Sequence, residues 1–282
     1  MSTSSEHGTP KVWFITGTSS GFGQAIARAA IAQGDAVVAT ARRPEALTEL
    51  VALAPARVLA LPLDVTDASS GAAAIAQALE RFGHIDVLVN NAGFSVIGAL
   101  EETEEALLRD TMELMFFGAV RLTRAVVPHM RARGTGTIVQ LTSMGGLTTA
   151  PGFGAYCAAK HALEGLSECL AQELRPHGVR VLIVEPGAFR TALFGAAFRS
   201  APEHPAYAGT SGQVRTWVAD AAGKQPGDPD KAARAIVGAV SDPEAPLRLP
   251  LGADAVDGIR AKLAAIAADV DRTEAVARDT TL

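Results

Sequence analysis

Cysteine is scarce in this chain of 282 residues, with Cys157 and Cys169 the only two. Both fall on one predicted helix, where a rise of about 1.5 Å per residue separates them by roughly 18 Å, too far for a disulfide between them. Because no intrachain disulfide can form, we expect the protein to work in a reducing compartment, the cytoplasm.

Long apolar runs, basic clusters and metal-ligand spacings are also lacking. No run approaches the roughly 18 consecutive apolar residues of a membrane-spanning helix, and the net charge of −5 does not suit a nucleic-acid surface. Residues 1–10 lack the basic start and apolar core of a secretory signal, and we expect them to form a flexible tail. His129, His161 and His177 show no ligand spacing, so we assign no metal.

Short apolar runs alternate with helical patterns from residue 11 onward. The runs are rich in Val, Ile and Leu without polar alternation, as in the strands of a parallel sheet covered on both faces. This alternation predicts an α/β fold, a doubly wound parallel sheet in a single domain of residues 11–282. The predicted strands are 11–16, 35–41, 57–63, 85–90, 136–142, 179–185 and 247–251, and the predicted helices are 21–34, 104–133, one carrying Tyr156, one from about Pro229 and a last one from about Asp254.

The strand–helix alternation stops after Pro186. Residues 188–228 read as a long irregular segment with apolar content, which inside a compact domain is usually a lid or binding loop. We predict a substrate lid whose aromatic side chains favour an apolar or aromatic substrate. Equally, the rings could simply pack the lid onto the domain. The aromatic residues are Phe189, Phe194, Phe198, Tyr207 and Trp217.

A glycine-rich stretch, "TGTSSGFG" at 16–23, joins the first strand to the first helix. Gly17 is suited to a tight turn, and the missing Cβ atoms of Gly21 and Gly23 let the backbone approach a pyrophosphate and the helix pack close to the sheet. The helix N-terminus then directs free N–H groups at the phosphates. A lone glycine pattern is a weak signal, but this position predicts a dinucleotide site more strongly than a ligand-free turn.

The end of the second strand indicates which dinucleotide is bound. A carboxylate there would hold a ribose 2′-hydroxyl, but the sequence reads Ala-Thr-Ala-Arg-Arg at 39–43, and Asp35 lies at the opposite end of the strand. An arginine at this place can pair with a 2′-phosphate. We therefore predict NADP(H) rather than NAD(H), with Arg42 as the first candidate and Arg43 as the second. The alternative is that both arginines are solvated surface charges.

Tyr156 and Lys160 are four residues apart, which places a phenol and an ammonium one helical turn apart on the same face. Taken alone, this spacing is more typical of an ordinary surface pair. Other motifs give it meaning. They are "LDV" at 63–65, "NNAG" at 90–93, Ser143 at the end of a strand thirteen residues before Tyr156, and "PG" at 186–187 with Thr191 beyond it.

In this order and at these separations, the motifs resemble those of the short-chain dehydrogenase/reductase family over nearly the whole chain. The C-terminal part is similar to the subgroup that resembles 17β-hydroxysteroid dehydrogenases, which does not make a steroid the substrate. The resemblance implies a Rossmann-type fold and a homodimer, or a homotetramer, paired through the helix of Tyr156 and the helix before it. With the glycine loop, it predicts cofactor contacts at Gly17, Ser19, Ser20, Gly21, Phe22, Gly23, Arg42, Asp64, Val65, Asn91, Ala92, Gly93, Tyr156, Lys160, Pro186, Gly187 and Thr191.

The resemblance also implies a reaction, hydride transfer between NADP(H) and a carbonyl compound or secondary alcohol. Tyr156 would donate its proton to the carbonyl oxygen, and Ser143 would hydrogen-bond and orient that oxygen. Lys160 would hydrogen-bond the nicotinamide ribose and lower the pKa of Tyr156 from its usual value of about 10. We accordingly expect an oxidoreductase acting on an apolar or aromatic ketone or aldehyde.

One position departs from the family pattern. The family usually has an Asn that completes a proton relay through water to the Lys, and here the aligned position is Met115, whose thioether cannot replace an amide. The relay could run through backbone carbonyls and water, which we favour; the enzyme could be slow; or the alignment could be off by a residue. A protein that senses NADP(H) with weak catalysis is the alternative function. A sugar-nucleotide epimerase would need a larger C-terminal substrate domain than this chain has.

Overall fold

The structure is a computed structural model that describes residues 10–195 and 197–280. Of the segment predicted to be a flexible tail, residues 1–9 lie outside the described residues, so that expectation stays a prediction.

The core of the protein is a seven-stranded sheet in which every neighbouring pair is parallel. The strand order is β3-β2-β1-β4-β6-β7-β9, so the chain starts in the middle and winds outward in both directions. The predicted doubly wound α/β fold is therefore confirmed. The strands of this sheet are β1 Val12–Ile15, β2 Ala36–Ala41, β3 Val58–Pro62, β4 Val87–Asn90, β6 Gly136–Leu141, β7 Val179–Pro186 and β9 Arg248–Leu251.

Helices cover both faces of this sheet. The side chains of β1 alternate between two apolar layers: Trp13 and Ile15 pack with helices α1 and α8, whereas Val12 and Phe14 pack with α3 and α5. Because both faces are buried, the strands need no polar alternation, which is why they read as apolar runs. The helices are α1 Gly21–Ala32, α2 Thr48–Leu53, α3 Ala68–Phe82, α4 Glu105–Met112, α5 Gly118–Arg133, α6 Gly154–Leu174, α7 Ser211–Ala221, α8 Pro229–Ser241 and α9 Ala253–Arg278.

The predicted helix over 104–133 is interrupted in its middle. Residues Glu113–Phe117 form a π-helical turn between α4 and α5. Such a turn adds one residue to the helix and often marks a functional site. Met115 lies in it and is only 2% exposed. This turn has no signal in the sequence, because the apolar period continues through it.

The segment 188–228 is more regular than predicted, and here the sequence-based description was wrong. It contains α7 and a short strand, β8 Phe198–Ser200, which pairs in parallel with β5 Ser95–Ile97. Strands of three residues are too short to show a period. In α7 the buried positions include Ser211 and Arg215, so polar residues hide the helical pattern.

A buried ion pair fixes α7 to the rest of the domain. Arg215 Nη2 lies 2.6 Å from Glu102 Oε2, and Arg215 Nη1 donates to the carbonyl of Ala201 at 2.7 Å. Glu102 also accepts from the backbone N–H of His204 at 2.8 Å. That N–H and the Arg215 guanidinium lower the pKa of Glu102 to about 2. The segment is therefore held in place by charge as well as by apolar packing.

Residues 10–195 and 197–280 show neither of two features, a helix suited to crossing a membrane or a group of metal ligands. None of the helices there is both long and apolar enough to cross a membrane. No three His, Cys, Asp or Glu side chains in these ranges are grouped as metal ligands would be. Cys157 and Cys169, predicted to share a helix, both lie on α6, and both are free thiols within the same ranges.

Candidate active site

A cavity of about 410 Å³ opens along the carboxyl ends of the central strands. Ligands of doubly wound sheets bind at this edge, because the loops after all parallel strands meet there. The cavity brings together nearly every residue that the sequence predicted for the site. Its lining includes Gly17, Ser19, Ser20, Gly21, Phe22, Arg42, Asp64, Val65, Asn91, Ala92, Gly93, Ser143, Tyr156, Lys160, Pro186, Gly187 and Thr191.

The glycine-rich loop forms one wall of this cavity. Gly17 has φ +69°, a left-handed conformation that side chains disfavour, and the turn it makes leads to the start of α1 at Gly21. Among the described residues, the side chain of Ser20 at the N-cap of α1 makes no hydrogen bond to the first turn. The N–H groups of that turn thus face the cavity without a capping oxygen, as an anion-binding helix start requires.

Gly23 was predicted to contact the cofactor, but it is not among the residues that line the cavity in the described part of the chain. Its role is packing: a Cβ atom there would lie 2.4 Å from the carbonyl oxygen of Gly17 and 2.6 Å from Asn91 Nδ2. These distances are too short for any side chain, so the residue sets how closely α1 approaches the sheet.

The loops after β1 and β4 are fastened to each other. Thr16 Oγ1 accepts hydrogen bonds from the backbone N–H groups of Asn91 at 2.8 Å and Ala92 at 2.9 Å, and Asn91 Nδ2 donates to the carbonyl of Thr16 at 2.8 Å. One residue earlier, Asn90 Nδ2 donates to Gln140 Oε1 at 3.0 Å across the sheet. The "NNAG" stretch thus supports the sheet, as expected, and holds the glycine loop.

At the end of β2 the two arginines differ. Arg42 is exposed and lines the cavity, whereas Arg43 is exposed and does not. Asp35 is far from this place, since its carboxylate accepts from the N–H of Lys11 at 2.9 Å and from Trp13 Nε1 at 2.7 Å at the opposite end of the strand. Asp64 Oδ1 is already bonded to the Thr66 N–H and hydroxyl.

Ser143, Tyr156 and Lys160 lie together on the opposite wall. Lys160 Nζ donates to the carbonyl of Leu141 at 2.7 Å and lies 5.8 Å from the centre of the Tyr156 ring. Ser143 Oγ donates to the carbonyl of Pro186 at 3.3 Å and accepts from the Gly145 N–H at 3.0 Å. Helix α6 and strand β6 therefore present a phenol, an ammonium and a hydroxyl to one part of the cavity.

Burial dominates the ionisation of this group. Desolvation raises the pKa of Tyr156 to about 12, opposed by a hydrogen bond with Ser143. Desolvation also lowers the pKa of Lys160 to about 8, opposed by the charge of Glu164. In the protein alone, the pKa of Tyr156 is therefore raised and not lowered, because the loss of hydration on this buried helix face outweighs the hydrogen bond with Ser143. The expected lowering by Lys160 in the presence of the cofactor stays a prediction.

Behind Lys160 lies a second, very small cavity next to Met115. The volume that the centre of a water-sized sphere can occupy in this cavity is about 10 Å³, which is close to the minimum needed to hold one water molecule. Asn90 lines it, and Asn90 Oδ1 is buried without a hydrogen-bond partner among the described residues. A polar wall of this kind suits a bound water, since an unpaired buried acceptor costs about 1–3 kcal/mol.

The part of the cavity beyond Ser143 is mostly apolar, and the lid aromatics divide between the two predicted roles. Phe189 and Phe194 line the cavity, whereas Phe198, Tyr207 and Trp217 do not. Trp217 packs edge-on against Phe194 with ring centres 5.7 Å apart, and Tyr207 donates from its hydroxyl to a carboxylate, Glu101. Pocket lining and lid packing are therefore both present.

Sequence reasoning missed several residues of this region. Phe94 directly follows "NNAG" and could have been found from that position. Arg199 stacks 4.0 Å above the Phe94 ring, but it lies on β8, which is too short to be recognised from its sequence. The missed lining residues are Thr40, Ala41, Leu63, Phe94, Leu114, Leu141, Thr142, Ala188, Ala192, Leu193, Ala197 and Arg199.

The fold and this cavity define a class, the dinucleotide-binding oxidoreductases with a parallel sheet. A sequence profile described as short chain dehydrogenase matches residues 11–201. An oxidoreductase of Botryotinia fuckeliana, BOA17, is 39% identical over 248 residues, covering 88% of this chain and 90% of that protein. The chain belongs to the short-chain dehydrogenase/reductase family, whose members bind nicotinamide dinucleotides and act on small molecules.

Solved structures agree on the fold. A short-chain dehydrogenase from Streptomyces avermitilis superposes with a TM-score of 0.92 at 52% identity, covering 97% of this chain and all of the other. A Burkholderia phymatum family member in complex with NAD has a TM-score of 0.79 at 25% identity over 89% of this chain and 92% of its own. A Thermococcus sibiricus alcohol dehydrogenase complexed with 5-hydroxy-NADP has a TM-score of 0.70 at 29% identity, covering 86% of this chain and 95% of that one. Relatives thus carry either type of nucleotide.

The lowered pKa of Lys160 predicts a stability change with pH. Between pH 8 and 10.5 Lys160 is protonated to a greater extent in the unfolded chain than in the folded one, so this residue should make the free energy of unfolding rise with pH across this range, whereas the raised pKa of Tyr156 acts in the opposite direction from about pH 10. Lys160→Met should remove this rise, about 3 kcal/mol in total. Urea unfolding of nucleotide-free protein at several pH values measures it. Lys224→Met, at an exposed lysine, is the control and should keep the rise; an equal rise in the Lys160 variant would contradict the prediction.

Proposed function

We propose that the protein is an NADP(H)-dependent carbonyl reductase that transfers hydride between NADP(H) and an apolar or aromatic ketone or aldehyde, or the corresponding secondary alcohol. One observation carries the proposal: Ser143, Tyr156 and Lys160 share a cavity with an uncapped helix N-terminus and its glycine loop. Anion binding and proton donation are therefore available in one place.

The residues present fit a dinucleotide. The N–H groups at the start of α1 and the turn at Gly17 would hold the pyrophosphate, and Asp64 and Val65, which line the cavity, would contact the adenine. Pro186, Gly187 and Thr191 line the cavity too and would contact the nicotinamide end. When bound, NADP(H) supplies or accepts the hydride at the substrate carbon.

The side chains of the protein supply the proton chemistry. A phenol with a pKa of about 12 keeps its proton at neutral pH, which is the state that carbonyl reduction needs. Tyr156 donates this proton to the carbonyl oxygen, while Ser143 donates a hydrogen bond to the same oxygen and fixes its orientation. Lys160 is mainly an ammonium at neutral pH, and it hydrogen-bonds the nicotinamide ribose.

Tyr156 must regain its proton after each turnover, and Met115 cannot take part. We place the return path through Lys160 and a water in the small cavity behind it, held by Asn90 Oδ1, which has no partner among the described residues. Met115 then acts as an apolar wall, packed with Tyr156 and Cys157. This arrangement corresponds to a relay through water without an amide at position 115.

The substrate class follows from the apolar half of the cavity and its lid. Phe94, Phe189 and Phe194 offer aromatic surface, which binds flat apolar compounds better than small hydrophilic ones. Segment 188–228 is the proposed substrate lid. Membership of the subgroup that resembles 17β-hydroxysteroid dehydrogenases, suggested by the C-terminal part of the sequence, is also a proposal, and it does not by itself name the substrate.

Tyr156→Phe should lower kcat/KM by about 10²- to 10⁴-fold, because it removes the proton donor, while NADPH still binds. The assay follows NADPH consumption with aldehydes, aromatic ketones, quinones and steroid ketones. Tyr207→Phe is the matched control, since Tyr207 is the only other tyrosine and lies outside the cavity. Full activity of the Tyr156→Phe variant would contradict the assignment. Binding of NADPH without any hydride transfer in the wild type would favour the sensor function instead.

Arg42→Ala should weaken NADPH binding by tenfold or more, since a charge-assisted contact is worth about 1.5–3 kcal/mol, and leave NADH binding nearly unchanged. Titration of each nucleotide by fluorescence or calorimetry gives the dissociation constants. Arg43→Ala, one residue outside the cavity lining, is the control and should have a smaller effect. Equal affinity of the wild type for NADPH and NADH would refute the proposed cofactor preference.

Met115→Asn should change kcat by less than about tenfold, or 1.4 kcal/mol, because residue 115 lines the small cavity but the proposed water path takes no hydrogen bond from its side chain. Met112→Asn is the control, a methionine that packs in the same cluster without lining either cavity. A large gain in turnover for Met115→Asn alone would show that the natural enzyme is slow for lack of the amide, and would exclude the proposed path.

We also propose that two subunits pair through α5 and α6, and that the protein works in the cytoplasm, in keeping with its two free thiols.

A further inference from the structure

Helix α9 extends away from the domain. It has 26 residues, a length of about 39 Å, yet of its described residues only Ala255 and Ile259, in the first two turns, are buried. Its start is firmly fixed: Asp254 Oδ2 accepts from the Ala188 N–H at 2.7 Å, and Ile259 is 8% exposed. All residues from 263 to 280 are exposed. The domain therefore presents a rigidly based helix with most of its surface uncovered.

One face of this projecting helix is apolar. Leu263, Ile266 and Val270 are 57%, 47% and 59% exposed, and they continue from Ile259 at alternating spacings of four and three residues. This is the spacing of a coiled-coil seam, in which each apolar side chain inserts between those of a second helix. Contiguous exposed apolar residues of this kind mark an interaction surface.

The charges beside the apolar face indicate what covers it. Between Arg260 and Ile266 the helix carries only basic charges, Arg260 and Lys262, whereas the half beyond Ile266 carries three acidic and two basic residues, a net charge of −1. The acidic residues are Asp269, Asp271 and Glu274, and the basic ones are Arg272 and Arg278. Lys262 and Asp269 are seven residues apart and so lie on the same flank of the seam. Two copies running antiparallel place the basic half of each beside the acidic half of the other, whereas parallel copies would place like charges together.

Some of these charges also have partners within their own helix. Asp269 pairs with Arg272, and Glu274 pairs with Arg278 at 2.7 Å. Both are exposed pairs and contribute little to stability, so they can be exchanged for contacts with a second copy. A membrane surface is a poorer fit, because acidic residues outnumber basic ones along α9, whereas anionic lipids attract helices with a basic polar face.

We propose that α9 is a self-association surface, on which the α9 helices of two copies of this chain pack antiparallel through Leu263, Ile266 and Val270. This surface is separate from the pairing through α5 and α6. A subunit that used both would have two different partners, which is the requirement for a closed tetramer.

The test is the mass of the full-length protein in solution, measured by light scattering and sedimentation over a range of concentrations. The double variant Leu263→Glu/Ile266→Glu should halve the mass of the wild-type assembly. Ala261→Glu/Ala268→Glu adds the same charge to exposed positions on the opposite face, and should leave the mass unchanged. Circular dichroism and thermal melting confirm that each variant is folded.

A charge exchange tests the antiparallel arrangement. Lys262→Asp should increase the dissociation constant of the assembly by several-fold at low salt, and Asp269→Lys added to it should restore association. No recovery in the double variant would overturn the antiparallel pairing. A monomeric wild type, or an assembly that persists in Leu263→Glu/Ile266→Glu, would overturn the self-association surface. Binding of a monomeric wild type to phosphatidylserine vesicles would assign the apolar face to membranes instead.

Discussion

The close contact between the loops after β1 and β4 is the interaction on which the site depends. The backbone N–H of Asn91 donates a hydrogen bond to the Thr16 hydroxyl, and the Asn91 side-chain amide donates one to the Thr16 carbonyl. Asn91 and the Gly17 carbonyl lie so close to Gly23 that no side chain fits at that position. A side chain at Gly23 would push α1 away from the sheet. The helix N-terminus, the turn at Gly17 and the floor of the cavity would then all move together.

A second constraint is that Tyr156 and Lys160, the groups proposed to transfer protons, are buried in the protein without ligand. Tyr156 and Lys160 are 8% and 5% exposed, and desolvation moves their pKa values in opposite directions, each toward the neutral form. A protonated phenol is therefore the resting state at neutral pH. Burial also excludes bulk water, so the proposed supply of protons depends on the small cavity lined by Lys160 and Asn90.

Segment 188–228, the proposed lid, is built differently from the central sheet. Its helix α7 buries a charged pair, Arg215 with Glu102, where the sheet buries Val and Ile. Removing one member of a buried pair leaves an unpaired charge and is strongly destabilising. One side of this segment lines the cavity with Phe189 and Phe194, and the other side packs on the domain. Its aromatic residues therefore include both cavity-lining and packing residues, the two alternatives that the sequence left open.

The sequence by itself determined the sheet, the winding of the chain and much of the lining of the cavity. Apolar runs without alternation are typical of buried parallel strands, and local motifs such as Tyr156-x-x-x-Lys160 or the glycine loop are read directly from their spacing. The outlying elements were decided by tertiary structure. The β5–β8 pair has no local signal, because it joins two strands of three residues that lie about a hundred residues apart in the chain. The π-helical turn at Met115 has none either, because the apolar period continues through it. Tertiary structure also decided the pKa values of Tyr156 and Lys160, because a pKa responds to burial, and burial depends on how the whole chain packs.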